Sequence, residues 1–520
     1  MSLADHAVVL PIVLPLAAGA ATLMLDEDRV VLRASMSLAC TLLLLLVAVG
    51  LVRLADESFA TVYRLGNWPA PFGIVLVLDR VAAILVLLTA VLGMAALVFA
   101  LARWQRAGPR FHGLVQFLLV GVNGAFLTGD LFNLFVFFEV LLAASYGLAL
   151  HGSGEGRVRA SLHYIVVNLA ASLLFLVGVS LIYGATGTLN MADLALRWRE
   201  AAPIDRALFE VGVSVLGVAF LVKAGMWPLC FWLPGTYAAA SAPAAALFAV
   251  LSKVGVYAVL RTGLLFGTEA EAAPSTGTPW LAYAGMATIA FGALGVLASR
   301  EPARLAGYSV LVSSGTMLAA IAIGSTPLTG AALYYLVVST LGLSALFLLV
   351  ELVDRGRRPG ADVIAVTAEA FGTADGEGEE IEAGTAIPAA TALLGLSFGA
   401  CAVMLAGLPP LAGFVGKFAM LDALLEVEPV PLASWAMVAL LVLSGFATVV
   451  GMARVGVRRF WATQGGSVPR VRVIEFAPIV VLLALCAALT VGAGPLIGYL
   501  DDGARALHAP GGYVDRVLAP

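Results

Sequence analysis

Lysine is almost missing from this chain. Of its 520 residues 29 are basic, and only three of those are lysines, Lys223, Lys253 and Lys417; the other 26 are arginines. Charge of either sign is scarce as well, at 12% against 61% hydrophobic residues, with a mean hydropathy of +1.01. So little charge cannot solvate the surface of a water-soluble protein this long, which excludes a soluble enzyme and leaves a polytopic membrane protein.

Further absences narrow the class. No basic run interleaves with aromatics, so nucleic acid is not a partner. The four cysteines, Cys40, Cys230, Cys401 and Cys486, lie in apolar runs without CxxC spacing, so neither a disulfide framework nor a metal centre is expected. No nucleotide-binding loop or nucleophile constellation occurs, so the reading is a transporter component with no cofactor and no ATPase or covalent chemistry. No lysine or arginine precedes Arg29, so the first apolar run lacks the positive flank of a cleaved signal peptide and is expected to stay. The runs do not alternate as barrel strands do, so the spans are helices.

What fills the chain is apolar runs of about 20 residues, each long enough at 1.5 Å per residue to cross a ~30 Å hydrocarbon core. Fourteen are expected, near 5–25, 30–52, 74–102, 111–129, 131–150, 160–184, 208–234, 236–263, 279–299, 304–323, 328–352, 389–425, 431–453 and 473–498. An even number puts both termini on one side. Arginine bias sets which side: loops after odd-numbered spans hold 17 arginines, while loops after even-numbered spans and the C-terminal tail hold eight. Positive loops stay cytoplasmic, so both termini are expected outside a bacterial cell membrane. The segment 354–388, rich in Asp, Glu, Gly and Ala, reads as a solvated cytoplasmic loop.

Every lysine falls inside an expected span. An ammonium at the bilayer centre costs about 2.5–3.5 kcal/mol. Three cost roughly 9 kcal/mol, comparable with the whole stability of a folded domain. Unlike guanidinium, an ammonium can give up its proton when desolvated. The functional reading is therefore proton transfer, and the bland one is structural ion pairs or snorkelling side chains. Glu139, in the otherwise uncharged run LFNLFVFFEVLLAASYGLAL, is the matching anion; Ala143 and Tyr146, at i+4 and i+7, suggest that its face points inward. Asp130 at the head of that run reads as a helix cap. His163 is a secondary titratable candidate, though an interior histidine is usually a hydrogen-bonded packing residue.

Prolines break two of these spans. Pro228 and Pro234 in VKAGMWPLCFWLPG cannot donate to the carbonyls of Ala224 and Cys230, and Pro409 and Pro410 in AGLPPLAGFVGKF free those of Leu405 and Ala406. Irregular backbone at membrane depth is tolerated where it lines a wet cavity, and transporters place ion sites there. The breaks stand five spans apart, which suggests two inverted five-helix units. The expected organisation is a three-helix segment 1–110, a first unit 111–263, a second unit 279–453 and a last helix with tail 454–520.

At these residues the chain resembles the antiporter-like subunits shared by respiratory complex I and the multisubunit Mrp (Mnh, Pha) cation/proton antiporters. The resemblance covers most of the chain. NGAFLTGDLFNLFVFFEVLLAASYGLALHG at 123–152, TGTLNMADL at 186–194, WLPGTYAAASAPAAALFAVLSKVGVY at 232–257 and GLPPLAGFVGKF at 407–418 look like the D subunits of Mrp antiporters. It implies that Glu139 and Lys223 form the pair gating proton movement, that Lys253 is the eighth-helix lysine and that Lys417 is the twelfth-helix lysine near the exit. It also implies partner subunits in a hetero-oligomer, with protons and Na⁺, or Li⁺ or K⁺, as cargo. Val338 and Ser344 depart from the pattern, standing where relatives carry histidine or lysine. Water held by Tyr335, Ser339, Thr340 and Ser344 is the expected substitute link between Lys253 and Lys417. With few buried carboxylates to ligate Na⁺, the cation path is expected at a partner interface. Two other readings fit the charge pattern: a proton-pumping subunit of a redox-driven complex I, and a non-transporting membrane scaffold.

Overall fold

The computed structural model describes residues 6–26, 28–267, 279–355, 389–426, 428–461 and 471–519. Most of the acidic segment, 356–388, lies outside the described residues. The described part is a helical bundle. Helices α1 (Leu10–Met24) and α2 (Val30–Glu57) lead to a small antiparallel hairpin of β1 (Thr61–Arg64) and β2 (Val75–Leu78), with Thr61 opposite Leu78. Pro15 within α1 leaves the carbonyl of Pro11 without its helical donor, and the Asn123 side chain supplies one at 2.9 Å. The expected span 74–102 thus begins too early. Residues 75–78 pair as strand β2, and α3 (Arg80–Leu101) starts only where Asp79 accepts from the backbone N–H of Ala82 at 2.9 Å.

Then follow α4 (Phe111–Leu127), α5 (Leu131–Leu150), α6 (Glu155–Thr186), the short α7 (Met191–Glu200), α8 (Pro203–Ala224), the half-helix α9 (Trp232–Ala239) and α10 (Ala242–Phe266). The second half contains α11 (Pro279–Ala298), α12 (Pro302–Ile323), α13 (Thr326–Arg355), the pair α14 (Ala389–Ala406) and α15 (Ala412–Leu425), α16 (Leu432–Gly456) and α17 (Val473–Val491). Among the described residues twelve helices are long and apolar enough to cross a membrane, and the shorter apolar α1 and α4 bring these to the fourteen expected runs.

The run 208–234 is interrupted, as its prolines lead one to expect: α8 stops at Gly225, whose φ of +75° only glycine adopts without strain, and α9 resumes at Trp232. Two expectations shift. Pro234 is no break. It sits in the first turn of α9, where its missing N–H has no helical acceptor, and the Cys230 carbonyl takes its donor from Leu233 at 3.0 Å. The run 473–498 ends at Val491, and two separate helices follow, α18 (Ala493–His508) and α19 (Gly511–Leu518), where only a tail was expected.

Burial ranks the helices. The most hydrophobic windows of α10, α12 and α13 are 94%, 89% and 94% buried, against 28% for α2, α14 and α17, so the first three form the axis of the bundle. The described chain ends meet the hairpin at one end of it, His6 Nδ1 lying 3.3 Å from the Tyr63 hydroxyl and Arg64 donating to the Ala519 carbonyl.

Candidate functional site

The three lysines stand on three different elements, and all are buried: Lys223 is 4%, Lys253 0% and Lys417 6% exposed. Among the described residues no carboxylate touches any of them; each ammonium rests on neutral oxygen.

Lys223 occupies the last turn of α8, where the negative end of the helix dipole favours a cation. Its Nζ donates to Ser172 Oγ of α6 at 3.3 Å and lies 4.9 Å above the Phe138 ring. The Ser172 hydroxyl in turn donates to Glu139 Oε1 on α5. The expected Glu139–Lys223 pair is thus bridged by a serine instead of touching. Ser172 belongs to a buried stripe on α6, with Ser161, Tyr164 and Asn168, at three- to four-residue spacing. The Tyr164 hydroxyl is 2.6 Å from Ser145 Oγ, and its ring meets Tyr146 edge-on at 5.3 Å. Contrary to the sequence expectation, Ala143 is exposed and Glu139 only half-buried, so this face of α5 lies at the flank of the bundle.

α8 and α10 are held together by a glycine. A Cβ on Gly255 would come within 2.6 Å of the Ala224 nitrogen and 2.9 Å of the Lys223 carbonyl carbon, so no larger residue lets the two lysine-bearing helices approach this closely. Two positions earlier, Lys253 Nζ donates to Ser313 Oγ at 2.7 Å and to Ser314 Oγ at 3.4 Å, both on α12. Ser313 Oγ is 2.9 Å from Ser339 Oγ on α13, and Tyr335 interacts with Ser313 and Thr316.

Lys417 lies on α15 just past the second break. Pro410 has no N–H to offer the carbonyl of Ala406, and Lys417 Nζ donates to that oxygen at 2.9 Å. Two glycines make room for it. A Cβ on Gly407 would overlap the lysine stem, and one on Gly445 of α16 would lie 2.7 Å from the Ala406 oxygen and 3.4 Å from Nζ. Gly416 packs on α13, where a Cβ would be 3.3 Å from the Tyr335 Cα.

Of the four residues expected to bridge Lys253 and Lys417, Ser339 meets the Ser313 hydroxyl that holds Lys253, and Tyr335 interacts with Ser313 while its backbone packs on Gly416, next to Lys417. Thr340 and Ser344 are spent on backbone carbonyls, those of Leu336 at 2.6 Å and Ala246 at 2.7 Å. Val338 is fully buried. His163 is not brought into the group: it is exposed on α6, and its Nδ1 is 3.0 Å from the Arg159 carbonyl. Asp130 caps α5, accepting from the Asn133 N–H at 2.8 Å. The serines at 172, 313 and 314, which hold two of the lysines, were missed from sequence; the stripe spacing on α6 and the paired serines of LVSSGT were the available signals.

A cavity of about 560 Å³ opens at the far end of α9, lined among others by Arg157, Tyr237, Ala245, Phe347, Glu351 and Arg355. Its rim is tied together: Glu351 accepts from Trp104 Nε1 at 2.7 Å and from Arg355, Arg355 donates to Glu475 at 2.6 Å, and Arg157 holds the Ala239 carbonyl at 2.8 Å. On α9, in the turn after it and on α10, the hydroxyl of Tyr237, which lines the cavity, the Trp232 Nε1 and the Ser241 and Ser252 hydroxyls are buried with no partner among the described residues, and buried polar groups of this kind recruit water.

The family described as NADH:quinone oxidoreductase/Mrp antiporter, TM, matches residues 128–447. The chain is 55% identical to the D subunit of a probable K(+)/H(+) antiporter of Rhizobium meliloti, covering 99% of this chain and 98% of that one. It is 36% identical to the D subunit of the Na(+)/H(+) antiporter of Alkalihalophilus pseudofirmus, over 99% of each. Its fold superposes on a chain of the Mrp complex from Dietzia sp. DQ12-45-1b with a TM-score of 0.83 and 26% identity, covering 100% of both. The chain thus belongs to the NADH:quinone oxidoreductase/Mrp antiporter family, among the D subunits of Mrp-type cation/proton antiporters.

Proposed function

We propose that this subunit carries the proton half of monovalent cation/proton exchange within a hetero-oligomeric Mrp-type complex, along Glu139, Lys223, Lys253 and Lys417. The observation that carries this reading is that three ammonium groups at membrane depth each rest on a hydroxyl or carbonyl oxygen, with no carboxylate among the described residues in contact to fix their charge. Neutral partners leave either protonation state supportable, whereas a direct buried ion pair would hold the proton.

Ser172 is suited to link the first two members. It donates to Glu139 and accepts from Lys223, so a proton entering at the carboxylate and one leaving the ammonium are coupled through one rotatable hydroxyl. Water among the unpartnered groups of α9 and α10 continues the path toward Lys253. Ser313, Ser339 and Tyr335 continue it to Lys417. The two broken helices then belong to two five-helix units, 111–263 and 279–453, each with a lysine beside its break. The exchanged cation follows a path at a partner interface, because the interior axis carries three amines that repel it.

The test is cation-dependent ΔpH in inverted vesicles holding the whole complex, with Na⁺, K⁺ and Li⁺ assayed side by side. Lys223→Ala should abolish exchange while the complex still assembles. Exchange at the normal rate in that variant defeats the reading and favours a scaffold.

A further inference from the structure

At the end of the bundle where the chain termini meet the hairpin, a carboxylate and an imidazole of α18 lie on the first turns of α13, the helix that carries Tyr335 and Ser339. Asp501 Oδ1 occupies the notch left by Gly330, where any Cβ would overlap it. His508, seven residues on and so on the same face of α18, has Nε2 2.9 Å from Thr329 Oγ1. The Thr329 hydroxyl hydrogen goes to the Ser325 carbonyl at 3.0 Å, so the imidazole Nε2–H donates and Nδ1 remains an acceptor.

Four residues below Gly330, and on the same stripe of α13, stands Tyr334. A Cβ on Gly416 would lie 3.2 Å from its ring, and Gly416 precedes Lys417. The rise from Gly330 to Tyr334 is about 6 Å along the helix, and the buried Tyr334 hydroxyl donates to the Leu489 carbonyl at 2.9 Å. The charged groups near Asp501 are Asp502 and Arg505 on α18 and Arg80 on α3; Asp502 is engaged by Arg80 at 3.5 Å and by Arg505. Among the described residues no ion pair or hydrogen bond engages Asp501 itself. Burial, the larger effect, raises its pKa above the usual carboxylate value, against the pull of Arg505.

We propose that Asp501 is the outlet of the lysine axis: its carboxylate takes the proton that Lys417 releases and hands it to bulk water at this end of the bundle. The Lys417 ammonium becomes a neutral amine as Asp501 becomes a neutral acid, and release to water restores the carboxylate. This rests on the proposed role of Lys417. Among the described residues, this notch is a place where a titratable side chain of the amphipathic α18 touches the axial helix α13.

The experiment is pH-resolved cation/proton exchange by the assembled complex with Asp501→Asn, Asp501→Glu, Gly330→Ala and Lys417→Ala. Asp501→Asn should slow exchange on the order of tenfold or more, the scale of a lost proton-transfer group, and flatten its pH profile. Asp501→Glu should restore both, and Gly330→Ala, which displaces the carboxylate without removing it, should slow exchange too. Normal exchange in Asp501→Asn overturns the outlet, as does equal loss in Asn and Glu variants with an unchanged pH profile. Should Asp501→Asn not assemble, Gly330→Ala decides: wild-type exchange there overturns the assignment. If Lys417→Ala exchanges normally, the lysine axis itself falls; if it is dead while the Asp501 and Gly330 variants are normal, only the outlet fails.

Discussion

Lys417 donates to the carbonyl of Ala406, the oxygen that Pro410 leaves without its helical partner. The same proline that interrupts the span thus creates the acceptor for the lysine that follows it. Carbonyl and ammonium satisfy each other at membrane depth without a counter-charge, and the lysine can leave only if water takes its place.

Pro410→Ala should therefore disturb Lys417 without touching it. The new backbone N–H can compete for the Ala406 oxygen, so exchange should fall severalfold in complexes that still assemble. Lys417→Met instead leaves that carbonyl buried and unpaired, which costs about 1–3 kcal/mol and should lower the melting temperature of the purified protein. A Met variant as stable as the parent would show that the contact is dispensable.

Ser172 offers a sharper test of the first step. Ser172→Ala removes the hydroxyl between Glu139 and Lys223 and leaves both charges in place, so assembly should hold while vesicle exchange drops. Ser172→Thr keeps a hydroxyl and should recover much of the rate. Equal rates in all three forms would show that the proton does not pass through this group.

The lysines were readable from sequence because a charge inside an apolar run has no bland surface to occupy. The breaks were readable for a similar reason, since Pro228 and Pro410 remove donors whatever surrounds them. Pro234 misled because a proline in a first helical turn looks the same in sequence as one in a break. The serines were not readable: Ser172, Ser313 and Ser314 matter only through which helices face one another, and a lone serine in a helix usually bonds its own backbone, as Ser145, Ser180 and Ser309 do here. His163 illustrates the converse, a titratable side chain whose helix turns it outward. Asp79 was hidden in an apolar run that continues through it, because the strand before it is buried at every position and so shows no alternation to set it apart from the helix after it.

Glycine spacing around Lys417 makes a paired prediction. Gly445→Ala puts a methyl group 2.7 Å from the Ala406 oxygen, closer than carbon tolerates, and in ordinary contact with Nζ at 3.4 Å, so α16 or the carbonyl that holds the lysine must shift and exchange should fall. Gly399→Ala on α14 meets nothing within 4 Å and should leave exchange and stability unchanged. Matching effects of the two substitutions, read by vesicle exchange and by melting, would remove the case for a shaped lysine pocket.

Acid should loosen the fold at two histidines outside the spans. Burial, opposed by a hydrogen bond from Nε2 to the Trp104 carbonyl and aided by Arg157, lowers the pKa of His151 at the end of α5; burial alone lowers that of His508 on α18. When a folded-state value lies below the unfolded one, the unfolded chain takes up the proton first as pH falls. Stability is therefore whole above the ordinary histidine value of about 6.5 and is lost below it, down to the depressed folded values. The melting temperature of the purified subunit should fall as pH drops from about 7.5 to about 5.5, and His151→Gln and His508→Gln should each make the decline shallower. A curve that rises or stays flat through that window in the parent protein would mean that neither imidazole is held neutral by the fold.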